Sequence, residues 1–179
     1  MIVSCSVIEI ANLRDYPELV STVATWHHNE WLHSYRVSGK ESLLIHRDIA
    51  EDIREREHNL RTHFSEAAVP STFIALAVDE NTGGKTVIGS VSVVYYQFSK
   101  QRKPNEWITN LFVVEAYRNK GIGQQLLEFI HQFAAESGIA HLKLYTRDKE
   151  EFYRKRDWQF SHKGLVQGNS VSVLEKRVI

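Results

Sequence analysis

The chain holds a single cysteine in 179 residues, has no formal net charge, and contains no apolar run approaching the roughly 20 residues that span a bilayer. One thiol, Cys5, excludes an intramolecular disulfide, and a reducing cytoplasm is the expected compartment. No charged-then-apolar leader with a small-residue cleavage site is read ahead of the first structured segment. Cys5 stands alone near a chain end and reads as a small apolar filler, not a nucleophile. The 22 basic and 22 acidic residues cancel. No global field then favours a nucleic acid or an anionic membrane, and neither is expected as a partner. Internal repeats, low-complexity tracts and Pro- or Ser-rich linkers are absent too, so the simplest reading is one domain over residues 1–179.

What is present is an ordinary globular composition, 42% hydrophobic and 25% charged, on a chain long enough to bury a core without staples. VSCSVIEIA, Val3 to Ala11, is the first strand expected. From Tyr16 to about Tyr35, Leu19, Val20, Val23, Ala24, Trp26, Trp31 and Leu32 recur at helical spacing. A second helix is expected from Glu41 to Phe64, with Leu44, Ile45, Ile49, Ile53 and Leu60 as its apolar stripe and a charged, solvated opposite face. The period then shortens. Ser71 to Asp79 and Thr86 to Gln97 read as strands joined through the turn NTGGK, where Asn81, Gly83 and Gly84 tolerate positive φ, and Gly89 reads as a bulge. After the loop SKQRKPN come a strand from Glu106 to Val114, a helix, a strand from His141 to Thr146, a short helix from Asp148 to Arg156, and closing strands at Trp158 to His162 and Val171 to Val178. The fold class expected is α/β (α+β): a mixed, mostly antiparallel central sheet flanked by helices. Residues 1–70 would form one side and residues 71–179 the sheet and its helices.

The stretch YRNKGIGQQLLEF, Tyr117 to Phe129, carries the chemistry. Ile122, Leu126, Phe129, Ile130 and Phe133 fall at i, i+4, i+7, i+8 and i+11, one face of a helix on the sheet, and Gly138 supplies its stop. Glycine inside a helix costs roughly 1 kcal/mol relative to alanine, so Gly121 and Gly123 at its mouth need a reason. The first helical turn offers unpaired N–H groups at the positive end of the dipole, and side chains there would keep an anion away. The spacing excludes a P-loop, because Lys120 precedes the glycines, and a dinucleotide fingerprint, because Leu126 stands where the third glycine belongs. What remains is R-x-x-G-x-G: Arg118, Gly121 and Gly123.

This pattern resembles the pyrophosphate loop of the GNAT-type N-acetyltransferase family. The resemblance runs from about Thr86 to the C-terminus on two motifs in order, LFVVEAYRNKGIGQQLL and, some 30 residues on, LKLYTRDKEEFYRKRDWQF. It implies acetyl-coenzyme A as cosubstrate, no metal, and a GNAT-like acyl-CoA N-acyltransferase fold in which residues 1–70 form the acceptor side. Backbone groups of Leu111, Phe112 and Val113 would pair with the pantetheine arm. The amides from Asn119 through Lys120, Gly121, Ile122 and Gly123 to Gln124 would wrap the pyrophosphate, with Arg118 and Lys120 adding positive charge. Tyr153 would be the general acid that protonates the leaving thiolate, its unperturbed pKa near 10 being close to a thiol's own. The chain departs from the family pattern at Ala116, where proline is common, at Asp157 in place of the usual glycine, and in offering Thr146 and Asp148 where an asparagine often contacts the cofactor. Members of the family often dimerise, so a homodimer is one assembly the resemblance allows.

The acceptor implied is a primary amine of a small molecule or peptide. Presenting a lysine-like amine unprotonated at pH 7 costs ~4.6 kcal/mol, an α-amine only ~1 kcal/mol. The face of the Glu106–Val114 strand shared with Leu111 offers Trp107 and Thr109, neither of them a base. TWHHNEWLH, Thr25 to His33, is the remaining source: on a helix His27, Glu30 and Trp31 share a face, giving a carboxylate, Glu30, and an aromatic surface to an amine. The alternative is that Trp26 and Trp31 are core and that His27, His28 and Glu30 form a solvated face. His28 and His33, five apart, and His58 and His63 lack ligand spacing, so no metal is expected. A non-catalytic acyl-CoA binding or sensing module on the same fold is the second reading.

Overall fold

The computed structural model describes residues 7–37, 39, 48–96, 105–166 and 168–179. Among the described residues, seven strands and four helices follow one another as β1 (Val7–Asn12), α1 (Val20–Val37), α2 (Ile49–Arg61), β2 (Ser71–Val78), β3 (Lys85–Tyr96), β4 (Asn105–Val113), α3 (Ile122–Glu136), β5 (His141–Thr146), α4 (Glu150–Arg154), β6 (Gln159–Val166) and β7 (Asn169–Arg177). The strands form one sheet in the order β1-β2-β3-β4-β5-β7-β6. β1 runs antiparallel to β2, and β7 antiparallel to both β5 and β6, while β4 and β5 are parallel with Trp107 opposite Lys143. The mixed, mostly antiparallel sheet with flanking helices is the one the sequence predicts.

The differences are local. Residues 3–6, 41–47 and 97–104, which include part of the first strand, the first turns of the second helix and most of SKQRKPN, lie outside the described residues. The first helix begins four residues later than periodicity alone predicts, because the chain passes through two 3-10 turns, Leu13–Asp15 and Pro17–Leu19, with Pro17 opening the second. In α2 the Asp48 side chain caps the Ala50 amide, which makes Ile49 the first helical residue and leaves it 60% exposed instead of on the apolar stripe. Asp52, expected on the solvated face of that helix, is buried. The closing hairpin is longer than expected, with β6 continuing to Val166.

Contacts divide the chain into two compact units, residues 1–92 with 110–129, and residues 93–109 with 130–179. In the first, Leu13, Val20, Val23, Ala24, Leu60, Ile74 and Leu76 form a buried cluster joined by Trp26, Ile53 and Val87. Each such side chain contributes about 1.5–3 kcal/mol by leaving water. In the second, Trp107, Val171 and Val173 make the cluster, with Val94, Tyr145 and Val166 against it. Along α3, Ile122, Leu126, Ile130 and Ala134 are buried at four-residue intervals, while Phe129 and Phe133 are half-buried at the edge of that stripe. The helix ends at Gly138, whose φ of +73° allows a double-bonded stop: Gly138 N–H to Ala135 at 3.2 Å and Ile139 N–H to Ala134 at 2.8 Å. No described helix is long and apolar enough to cross a membrane.

Candidate functional site

The glycine-containing turn lies in the first unit, between β4 and α3. A 3-10 turn over Glu115–Tyr117 leads to Arg118, then Asn119 at φ +58° and Gly121 at φ +80° reverse the chain so that α3 starts at Ile122. The first intrahelical bond runs from Gln125 N–H to Gly121 C=O at 3.0 Å. The amides of Ile122 and Gly123 precede it, at the end of the helix where N–H groups lack an i−4 carbonyl. Gly121 is explained by its backbone, since an L side chain is strained at that φ. Gly123 is not: its φ is ordinary, and a β-carbon there would meet Val113 Cγ2 only at 4.0 Å. Neither its φ nor its surroundings within the fold require glycine at 123.

Arg118 is exposed but engaged. Its Nε donates to the Val113 carbonyl at 2.8 Å, its guanidinium lies 5.5 Å over the Phe112 ring, and one terminal nitrogen is 3.8 Å from Glu30 Oε1. The side chain thus ties the turn back onto the end of β4. Lys120 Nζ lies 5.3 Å over the Tyr117 ring. The Gln124 side chain donates to Glu128 at 2.8 Å, so its contribution toward an anion is its backbone.

Leu111, Phe112 and Val113 are the last residues of β4, all half-buried. They follow Asn110, which has φ +54° in mid-strand. Its carbonyl receives the Ser90 hydroxyl at 3.4 Å, and Ser90 Oγ is 3.2 Å from His27 Nε2. His27 is buried, and burial, with Arg56 and His63 nearby, pushes its imidazole down to about 4. Neutral at physiological pH, with Ser90 O–H donating to Asn110, His27 presents N–H at Nε2 to the serine oxygen. Gly89, one residue before Ser90, has the Phe112 carbonyl over it, 2.8 Å from where a β-carbon would stand, a close approach that glycine allows.

The grouping of His27, Glu30 and Trp31 on one face gives way to three different environments. His27 turns to the sheet, Glu30 reaches Arg118, and Trp31 stacks on Tyr35 at 4.8 Å with Arg56 5.4 Å over its ring. Trp26 and Trp31 are half-buried, Trp26 against Phe112 at 5.1 Å, whereas His27 and His28 are buried, so the solvated-face alternative also fails for the two histidines. Turning a polar group to the sheet costs little here because β2 and β3 supply hydroxyls. His63 Nδ1 is 2.7 Å from Thr72 Oγ1, and Thr72 is 2.8 Å from Ser92 Oγ. His28 Nδ1 and Arg56 Nε both lie 2.7 Å from Asp52 Oδ2. Burial alone would push the Asp52 carboxyl up, but the hydrogen bonds from His28 and Arg56 outweigh it and hold the group below its ordinary value. These buried residues escape a sequence reading. The one signal was Ser90 and Ser92 two apart in a strand whose every central residue is apolar or small.

In the second unit, Tyr153 lies on α4 between Phe152 (5.1 Å, edge-on) and Trp158 (6.2 Å, edge-on). Burial pushes its phenol up to about 12, Arg156 opposing and Asp148 adding to the shift. The group is therefore protonated throughout the physiological range. Thr146 Oγ1 accepts the Lys149 amide at 3.0 Å, an engagement that braces the entry to α4. Asp157 has φ +64°, and Asp157 N–H to Arg154 (3.2 Å) with Trp158 N–H to Tyr153 (3.2 Å) closes α4 with the same double bond as α3. Aspartate thus occupies a glycine-type position. Among the described residues, no three His, Cys, Asp or Glu side chains are grouped to hold a metal ion.

A model of the Acetyltransferase (GNAT) domain family matches residues 70–159, half of the chain, including β4, the turn, α3 and α4. The chain belongs to the GNAT acetyltransferase family. GNAT structures also share its fold at low identity. An acetyltransferase of the GNAT family from Staphylococcus aureus Mu50 is 19% identical with a TM-score of 0.57, covering 97% of this chain and 100% of that one. An aminoglycoside 6′-acetyltransferase type Ii is 17% identical, TM-score 0.61, covering 97% of each chain. A Salmonella typhimurium protein solved with its cofactor acetyl-CoA is 12% identical, TM-score 0.64, covering 98% and 95%. At these identities the likeness is one of fold. No curated protein matches the chain.

Proposed function

We propose that the chain is an acetyl-coenzyme A dependent N-acetyltransferase whose acceptor is a primary amine of a small molecule or peptide, in a reducing cytoplasm. The observation that carries the reading is the turn Arg118–Gln124, where the first-turn amides of α3 sit beside Gly123, whose φ is ordinary and whose β-carbon would have room. In this reading the amides from Asn119 to Gln124 hold the pyrophosphate, Arg118 and Lys120 add positive charge, and the main chain of Leu111, Phe112 and Val113 pairs with the pantetheine arm. Thr146 braces α4 and contacts the cofactor from there.

The cosubstrate supplies an activated acyl carbon. The chain's part is to hold it, exclude water, and deliver a proton. The neutral amine nitrogen forms the new C–N bond as the C–S bond breaks, the thiolate takes the Tyr153 proton, and the proton lost from nitrogen leaves to solvent and recharges Tyr153. With the phenol at about 12 and an ordinary thiol near 8.5, transfer to a free thiolate is uphill by ~5 kcal/mol. Proton transfer is therefore coupled to C–S cleavage, and Tyr153 acts first as a hydrogen-bond donor to sulfur. His27, with its imidazole at about 4 and its Nε2 turned to Ser90, is a poor proton sink and stands behind the acceptor wall, not in it. Glu30 and Trp31 supply the carboxylate and aromatic surface of that wall. An α-amine, which needs no strong base, suits these residues better than a lysine-like amine.

A non-catalytic acyl-CoA binding module is the second reading, favoured by one observation: Glu30 is paired with Arg118 and so is drawn away from the work of a base. A thiol-release assay over a panel of amines separates the two. Release with at least one α-amine, and its loss in Tyr153→Phe with acetyl-CoA affinity retained, supports the enzyme. Binding of acetyl-CoA without release over the whole panel supports the module. The aminoglycoside 6′-acetyltransferase neighbour puts an aminoglycoside on that panel, and sedimentation of the same preparation tests for a homodimer.

A further inference from the structure

α4 is five residues long, well below the length at which a helix stands by itself, and Lys149 before it gives no side-chain cap. Its position must come from outside. At its first residue, Glu150 Oε2 accepts the Ser172 hydroxyl at 2.6 Å. Lys163 Nζ donates to the same Ser172 oxygen at 2.5 Å and lies 3.4 Å from Glu150 Oε2. Ser172 is buried on β7 between Val171 and Val173, and Lys163 faces it across the β6–β7 ladder. A buried hydroxyl costs free energy unless both its donor and its acceptor sides are used. Here they are, the proton going to Glu150 and a lone pair to Lys163. Ser172 and Lys163 further hold the Glu150 carboxyl below its ordinary range, so it is ionised wherever the enzyme would work.

The remaining hold on α4 is at its far end. Arg156 lies 3.7 Å over the Phe152 ring and donates to the Phe152 carbonyl at 2.7 Å, while Lys176 Nζ donates to the Arg156 carbonyl at 2.9 Å. Tyr153 stands between these two attachments, one turn after Glu150. We propose that Glu150 is a positioning residue for acetyl transfer: through Ser172 and Lys163 it fixes the first turn of α4 on the β6–β7 hairpin and so aims the Tyr153 phenol. This rests on the reading of Tyr153 as the proton donor.

The test uses the full chain with acetyl-CoA and an amine it accepts, together with 3-fluorotyrosine labelling, the Tyr153 resonance being assigned by its loss in Tyr153→Phe. In Glu150→Ala, kcat falls about tenfold with KM for acetyl-CoA within about twofold, the loss expected of a misaimed donor and not of a lost binding contact. Its Tyr153 fluorine signal moves toward the position of a solvent-exposed tyrosine. Glu150→Gln keeps an acceptor for Ser172 and restores both readouts to within about threefold and to the original shift. Ser172→Ala, which removes the tether from the buried side, reproduces the kcat loss and serves if Glu150→Ala does not fold. A Glu150→Ala or Ser172→Ala enzyme with unchanged kcat, or a Tyr153 signal that stays put in either, overturns the proposal. Full activity in Tyr153→Phe instead overturns the donor reading, and the fluorine shift, which needs no turnover, still decides whether Glu150 holds Tyr153.

Discussion

A β-carbon on Gly89 would stand 2.8 Å from the carbonyl oxygen of Phe112. That oxygen is main chain of β4 and has no rotamer to escape through. Gly89→Ala must therefore push the end of β4 away, and Leu126 Cδ1, 3.3 Å from the same position, closes the other exit. The substitution is expected to cost about 1–3 kcal/mol in urea unfolding and to weaken acetyl-CoA binding, since Leu111 to Val113 move with the carbonyl. Wild-type stability together with wild-type affinity would contradict the geometry.

Gly123 makes the opposite prediction. Because its backbone is helical and a β-carbon meets only Val113 Cγ2 at 4.0 Å, Gly123→Ala should stabilise the chain by up to about 1 kcal/mol. If the proposed turn holds the pyrophosphate, the same methyl group crowds it and should raise the Kd for acetyl-CoA about tenfold or more. Thermal melting and calorimetry on one preparation read the two signs. A variant that gains stability and keeps its affinity removes the phosphate explanation of this glycine.

Folding lowers the pKa of His27 from an ordinary 6.5 to about 4. Between those values the unfolded chain binds a proton that the folded chain does not, so stability rises with pH across the window and is lost as pH falls below 6.5. The slope is about 1.4 kcal/mol per pH unit and the total about 3 kcal/mol, with His63, also lowered by burial, adding in the same direction. Urea midpoints from pH 4 to 7 should follow this slope in the native chain and flatten in His27→Gln. Equal slopes in the two would mean that His27 is not buried neutral.

Asp157 holds φ +64° at the end of α4 without glycine's freedom. Asp157→Gly should stabilise by about 0.5–1 kcal/mol, or roughly 2–4 °C in Tm, and Asp157→Ala should destabilise by a similar amount. Reversal of that order in differential scanning calorimetry would show that the aspartate side chain, not the backbone, decides the position.

The R-x-x-G-x-G turn, the apolar stripe of α3 and the aromatic pair on α4 were readable because their physics is local. Helical periodicity, a positive φ at Gly121 and free amides at a helix start depend on neighbours within a few residues. The acceptor side was less readable. His27, Glu30 and Trp31 share a helical face by spacing, yet their partners are Ser90, Arg118 and Tyr35 with Arg56, and only the first of these choices puts a polar group into the core. Asp52, in a helix dense with charge, looked like solvated surface until His28 and Arg56 converged on it.

Thus the order of letters from Thr86 through the second motif, ending at Phe160, was enough to name the family and to propose a cradle for a diphosphate, since hydrogen-bond valence at a helix end and the steric demands of glycine are properties of a short segment. Which buried imidazole faces which hydroxyl, why Gly89 is glycine, and what holds Glu150 in place were set when residues 9 to 63 positions apart came within 3.5 Å of each other. Burial makes those pairings matter: away from water, a polar group must find its partner in the fold or lose the free energy of its solvation.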